Sequence, residues 1–265
     1  MARPDPQELL ALARSLAADA AALLLEGLDD VRGVETKSSL TDMVTASDRA
    51  SERLIVDGIR AARPEDGILG EEGTSDAGTS GVRWVLDPLD GTTNYLYGIP
   101  AFAVSIAVEV DGVTEIGVVL DASRDETFTA RRGHGAQLDG RALACTACAT
   151  LETALLGTGF SYDAGRRARQ GAVLAHVLPA VRDIRRGGAA AIDLCWVAAG
   201  RLDAFAERGL APWDLAAGSL IASEAGATVG DLDGGAPSGE FTLAAAPAIF
   251  EPLRALLRTA GARTA

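Results

Sequence analysis

The sequence predicts a layered α/β protein in which mixed β-sheets pack against helices, its 265 residues forming one domain with lobes of about 1–145 and 146–265. Three observations lead there. Apolar residues at helical spacing alternate with short apolar runs along the chain. An Asp-Gly pair joins two apolar runs as a hairpin, which brings antiparallel pairing into the sheet. The apolar fraction is 48%, enough for a sizeable core.

Each element has its own signal. Asp5-Pro6 is a cap followed by a first-turn proline, and Leu9, Leu12, Ala13, Leu16, Ala20, Leu23 and Leu24 recur at helical spacing, predicting an amphipathic opening helix. A second helix is expected over about 47–63, stopped by Pro64, and then a short buried strand over 67–70 ending at Glu71-Glu72. The Gly-, Ser- and Thr-rich stretch 74–81 reads as a loop. Trp84-Val85-Leu86 is an apolar strand that Pro88, lacking a backbone donor, is expected to end. Runs over 103–110 and 113–120 flank Asp111-Gly112 as the hairpin. Beyond residue 150 the expected order is strand (154–157), helix (166–181), strand (183–185), helix (190–199), strand (202–207), a helix over 214–225 capped by Asp214, and strands near Thr228 and Phe241. There is no internal repeat.

Composition excludes several classes of function. A formal charge of -13 speaks against a nucleic-acid backbone as partner and implies that an anionic substrate is drawn in by bound metal. No apolar run is long enough to span a bilayer and no secretory leader is legible, so a cytoplasmic protein without membrane contact is expected. The odd set Cys145, Cys148 and Cys195 makes no disulfide framework, and the Cys145-x-x-Cys148 spacing lacks a second pair that would complete a zinc site.

The densest chemistry lies in Trp84-Val85-Leu86-Asp87-Pro88-Leu89-Asp90-Gly91-Thr92-Thr93-Asn94-Tyr95. An apolar strand here delivers two carboxylates, a turn glycine and two hydroxyls to one point, which is how a metal and phosphate site is built. Two carboxylates about 4 Å apart repel by roughly 4 kcal/mol at an effective dielectric near 20, so such a pair calls for a cation or a shared proton. Hard oxygen ligands favour Mg²⁺ over softer metals. Glu71 also sits at a strand end, sixteen residues before Asp87.

Together with Gly70-Glu71-Glu72 and Pro212-Trp213-Asp214-Leu215-Ala216-Ala217-Gly218, this run resembles the inositol monophosphatase family of Mg²⁺-dependent phosphomonoesterases, in its bacterial, actinobacterial-like branch. The resemblance extends to Lys37-Ser38-Ser39, Asp42-Met43-Val44-Thr45, Gly157-Thr158-Gly159-Phe160, and Cys195-Trp196-Val197-Ala198-Ala199-Gly200 leading to Asp203. It implies the αβαβα sandwich of the sugar phosphatases and a homodimer. It further implies that Glu71, Asp87, Asp90, Asp214 and the Leu89 carbonyl hold two or three Mg²⁺ ions, with the metal site in the first lobe and the substrate side in the second. Glu71 and Thr92 would position the attacking water, with Asp90 in the same catalytic group, while the Gly91 and Thr92 amides hold phosphate oxygens. The polyol would meet Asp90, Gly188, Ala189, Ala190, Glu207 and Asp214, and Lys37 and Asp48 match positions near the metals. Ala189 departs from the Ser or Thr of relatives, which removes one hydroxyl contact and puts strict inositol preference in doubt. The expected substrate is therefore myo-inositol 1-phosphate or a similar small polyol phosphate, with histidinol phosphate, fructose 1,6-bisphosphate and 3'-phosphoadenosine 5'-phosphate as alternatives.

Competing signatures are weaker. Cys195 and Arg201 have the Cys-x5-Arg spacing of cysteine phosphatases, but the intervening run is apolar and helical. Asp231-Leu232-Asp233-Gly234 reads as a turn, and His134 in Arg132-Gly133-His134 as a loop residue. A regulatory or binding protein that kept the fold is the non-enzymatic alternative; four converging carboxylates argue against a pure scaffold.

Overall fold

The computed structural model describes residues 4–28, 35–36 and 43–265. Lys37, Ser38, Ser39 and Asp42 lie outside the described residues. In chain order the elements are α1 (Pro6–Glu26), β1 (Glu35–Thr36), β2 (Met43–Val44), α2 (Ala46–Ala62), β3 (Gly67–Gly70), β4 (Ser75–Asp76), β5 (Val82–Asp90) and α3 (Thr92–Leu96). Then follow β6 (Ala103–Val110), β7 (Val113–Asp121), β8 (Glu126–Arg131), β9 (Ala136–Leu138) and β10 (Arg141–Ala142). The remainder is β11 (Leu155–Thr158), α4 (Ala164–Val177), β12 (Asp183–Arg185), α5 (Ala190–Ala198), β13 (Ala204–Glu207), α6 (Pro212–Glu224), β14 (Thr228–Gly230), β15 (Thr242–Ala245) and α7 (Pro247–Thr259).

Two mixed sheets organise the chain. The first has eight strands in the order β10-β9-β8-β7-β6-β5-β3-β4, antiparallel except where β3 runs parallel to β5. The second has five in the order β12-β11-β13-β15-β14, with β11 parallel to both β12 and β13. Strand alternation assigns the layers. Trp84 and Leu86 of β5 bury against Leu9, Leu16 and Leu24 of α1 and Ile55 and Ile59 of α2, whereas Val85 between them faces Ile192 of α5 and Ile221 of α6. Phe205 of β13 and Ala244 of β15 meet Leu194, Val197 and Ala222 on the far side of α5 and α6. Ala204 and Ala206 turn the other way, toward Val173 and Val177 of α4 and Phe250 and Leu253 of α7. The result is five layers, α1/α2, sheet, α5/α6, sheet, α4/α7, the αβαβα arrangement expected. Helices α5 and α6 are buried on both sides, and accordingly they read as apolar all round in the sequence.

Several boundaries depart from expectation for identifiable reasons. Pro88 does not end its strand. The β5–β6 register shifts between Asp87 and Asp90, so the residue without a donor sits in a bulge and pairing resumes with Asp90 opposite Ala103. The loop over 74–81 contains β4, paired with β3 through Ile68 and Leu69. Helix α6 begins at Pro212, so Asp214 is the third helical residue and not the capping one; its carboxylate reaches back to accept from the Ala211 amide at 2.7 Å. Strands β8 to β10 and helix α7 are not among the elements expected from the sequence. The Asp111-Gly112 hairpin does form, with both residues at positive φ (52° and 79°) as the two-residue turn requires.

Candidate active site

The site is built where β3 and β5 end beside the first turns of α5 and α6. Asp87 follows Val85 on the face of β5 that looks toward these helices, by simple alternation. It is 2% exposed, its Oδ1 accepts from the Leu89 amide at 3.0 Å, and its carboxyl hydrogen-bonds with that of Glu71. Burial, and then the charges of Glu71, Asp90 and Asp214, push the Asp87 acid well above the usual carboxylate range. Asp90 is raised likewise, by burial first and the charge of Asp214 next. Its two oxygens accept from the Ala190 and Ala191 amides at 3.2 and 2.7 Å. Asp90 thereby caps α5, whose own N-cap residue, Ala189, has no side-chain oxygen to do so. Ser105, opposite Asp87 on β6, donates to the Trp213 carbonyl at 3.3 Å and ties the start of α6 to the sheet.

Gly91 is the N-cap of α3 with φ 89°, and a Cβ there would stand 2.8 Å from the Ala101 carbonyl and 3.3 Å from the Ala189 Cβ. Only glycine fits both the conformation and the approach. The Thr92 hydroxyl lies 3.1 Å from Asp48 Oδ1 and 3.1 Å from the Leu89 carbonyl, with one proton to give to either.

A cavity of about 490 Å³ gathers Glu71, Asp87, Leu89, Asp90, Gly91 and Thr92 from the first sheet with Gly188, Ala189, Ala190, Glu207 and Asp214 from the second part of the chain. Every residue singled out from the sequence as catalytic, metal-holding or substrate-binding thus lines one space. Glu207 is half-buried and packs against Gly159, where a Cβ would collide with its carboxylate oxygens. Burial and the charges of Asp214 and Asp193 raise its acid to about 8, against a lowering by Arg186. Asp193, 2% exposed, is raised to about 7 by burial, and its Oδ1 has no hydrogen-bond partner among the described residues. Cys195 is fully buried in α5 and its thiol is pushed well above its ordinary value by burial, which removes the thiolate a cysteine phosphatase needs.

The donor set fits a hard divalent cation, because buried carboxylates that raise one another's pKa are stabilised when positive charge enters among them. Among the described residues no three His, Cys, Asp or Glu side chains close on a point as a finished metal cage.

The support is formed by Asp48, which the resemblance placed near the metals, and by Ser51 and Glu52, which the sequence reading did not single out. The buried stripe of α2 begins with Asp48, Ser51 and Glu52 before Ile55, Val56 and Ile59. Asp48 closes a capping box with Thr45 and reaches Thr92; Ser51 donates to the Pro88 carbonyl at 2.9 Å. Glu52 accepts from the Glu72 amide (2.7 Å), the Thr74 amide (3.2 Å) and the Thr74 hydroxyl (2.6 Å), fixing the turn that carries Glu71. The available signal was helical periodicity that continues through polar residues, the mark of a buried polar face.

Five alternating layers with a carboxylate-rich cavity between the two sheets define a class of layered α/β proteins. A solved SuhB structure from Bartonella henselae shares that fold with a TM-score of 0.90 and 37% identity, covering 95% of this chain and 98% of that one. The model of the inositol monophosphatase family matches residues 5–262, and this chain belongs to that family of phosphomonoesterases. Inositol-1-monophosphatase SuhB of Mycobacterium tuberculosis is 48% identical, with 97% of each chain covered. The Nus factor SuhB of Escherichia coli is 44% identical over 86% of each. Among the described residues no helix is long and apolar enough to cross a membrane.

Proposed function

We propose that the chain is a Mg²⁺-dependent phosphatase for myo-inositol 1-phosphate or a similar small polyol phosphate, working as a cytoplasmic homodimer without nucleic-acid or membrane partners. The observation that carries this is Asp87, buried between Glu71, Asp90 and Asp214 on the wall of one cavity. Glu71, Asp87, Asp90, Asp214 and the Leu89 carbonyl would hold two or three Mg²⁺ ions. When bound, these supply the positive charge that activates water and stabilises the leaving oxygen, the demanding part of hydrolysing a phosphate monoester.

This chain's own groups do the rest. Thr92, oriented by Asp48, and Glu71, oriented by the turn that Glu52 holds, position the water, and the Glu71 carboxylate accepts its proton. The Gly91 and Thr92 amides face the phosphate oxygens, and Asp90 is pinned by α5 so that its remaining lone pairs point one way. Glu207, with Gly188, Ala189 and Ala190, forms the polyol side, supplied by residues 146–265, while residues 1–145 supply the ligands other than Asp214. Ala189, a cap without a hydroxyl, supports a broadened substrate range in which histidinol phosphate, fructose 1,6-bisphosphate and 3'-phosphoadenosine 5'-phosphate are the competitors. The Nus factor name of the Escherichia coli relative supports a second, regulatory reading.

Purified protein should hydrolyse myo-inositol 1-phosphate with Mg²⁺, lose that activity in excess EDTA, and keep it in Cys195→Ser. Full activity in EDTA would refute the metal reading, and a panel led by histidinol phosphate would refute the inositol one. A chain inert toward every monoester would favour the regulatory reading.

A further inference from the structure

Asn94 lies in α3 two residues after Thr92, is 5% exposed, and takes no step in the hydrolysis above. Its carboxamide has two hydrogens to donate, and both are spent on carbonyls outside its own helix. Nδ2 donates to Ala101 at 2.7 Å and, across 93 positions, to Gly187 at 2.9 Å. The two carbonyls serve different parts of the site. That of Ala101 closes on Gly91, 2.8 Å from where a Cβ there would stand, and so backs the turn that offers its amides to phosphate. Gly187 leads directly into Gly188, Ala189 and Ala190, which line the polyol end.

This second segment is one that has to be held. A Cβ on Gly187 would stand 2.5 Å from Asp193 Oδ1, and one on Gly188 would stand 2.5 Å from Arg186 Nη1 and 2.9 Å from Asn94 Nδ2. Gly188 also has φ 91°. The close approach therefore requires two successive glycines, the residue type that loses most conformational freedom on ordering. The far end of the segment is fixed by Asp90, which accepts from the Ala190 and Ala191 amides at 3.2 and 2.7 Å. Its near end is fixed by Asn94. Ala189 rests between these holds, its Cβ 3.3 Å from where a Cβ on Gly91 would stand, so any shift of the segment changes the gap between the polyol side and the phosphate turn.

We propose that Asn94 is a positioning residue that sets the polyol side against the phosphate turn, and through it the enzyme's discrimination among alcohols. The inference rests on the phosphatase reading above. A substrate that spans both sides feels a displacement between them, whereas one held mainly by its phosphate does not.

Steady-state kinetics with Mg²⁺ on myo-inositol 1-phosphate and β-glycerophosphate, together with amide hydrogen exchange, tests it. Asn94→Ala should lower kcat/KM for myo-inositol 1-phosphate about 10-fold, mainly through KM, and that for β-glycerophosphate by less than about 3-fold. In the same variant the amides of 187–189 should exchange at least about 10-fold faster, while those of the β6–β7 hairpin keep their wild-type rate. Asn94→Ser, which keeps one hydrogen to donate, should fall between the two proteins, and carries the test if Asn94→Ala does not fold. Equal losses on the two substrates, or unchanged exchange at 187–189, would overturn the proposal and leave Asn94 a support of α3 alone. A wild type inert toward both monoesters would instead overturn the phosphatase reading, with the exchange result still deciding whether Asn94 holds the segment.

Discussion

At Asp87, burial and three neighbouring carboxylates all favour the neutral acid, so the metal-free protein bears a cost each time this group ionises. Asp87→Asn keeps the shape and removes the charge. With Mg²⁺ its kcat should fall by about 10²-fold or more, the scale of losing a preorganised electrostatic term. In EDTA at pH 7 the same variant should melt higher than wild type, by about 2–4 °C for each kcal/mol gained, as scanning calorimetry will read. A lower melting temperature would contradict the repulsion. Glu207 offers the matching test for the polyol end. Glu207→Ala should shrink the preference for myo-inositol 1-phosphate over β-glycerophosphate by about 1–3 kcal/mol, and an equal loss on both would count against a hydroxyl contact.

Helix α2 shows how one element carries two jobs. Its inner stripe is apolar toward the α1 side and polar at its start, where Asp48, Ser51 and Glu52 serve the ends of β3 and β5. Glu52, 4% exposed, accepts from three donors, none of them on a cavity-lining residue. Glu52→Ala should lower stability by about 1–3 kcal/mol, because the Glu72 and Thr74 groups lose their acceptor. It should also reduce kcat about 10-fold with little change in KM, since a loosened turn misplaces Glu71 without altering the polyol side. A KM effect alone would show that the turn serves binding. Strand β5 teaches a related lesson: Pro88 bends pairing without stopping it, and the bulge brings Asp87 and Asp90 to one cavity.

For the molecule as a whole, the acidic cavity sets the pH response. Glu207 and Asp193 are raised to about 8 and about 7, and Asp87 and Asp90 lie well above their usual range. Groups whose folded pKa is raised contribute stability that is full below the unfolded value, near 4, and is lost as pH rises through the folded value. The metal-free protein should therefore lose stability between about pH 4 and 8, with Glu207→Gln flattening the upper part of that decline. Saturating Mg²⁺ should flatten it too, by binding only the folded carboxylates. Melting temperatures across this range, in EDTA and in Mg²⁺, check both; an EDTA curve that climbs toward pH 8 would be the wrong sign.

Hydrophobic periodicity and turn chemistry are local, and so the sequence by itself determined the opening helix, the Asp111-Gly112 hairpin, the alternating second half and the grouping of residues 84–95. The layered class followed, because apolar stripes of both periods must be covered by something. Tertiary structure alone decided the rest. Which way a bulge turns, that Asp90 rather than Ala189 caps α5, that Asp48 finds Thr92 across 44 positions, and that Arg186 falls beside Glu207 all depend on elements distant in sequence. A buried polar side chain also reads, one residue at a time, like a solvated one. Its meaning comes from the partner, and the partner is chosen by packing.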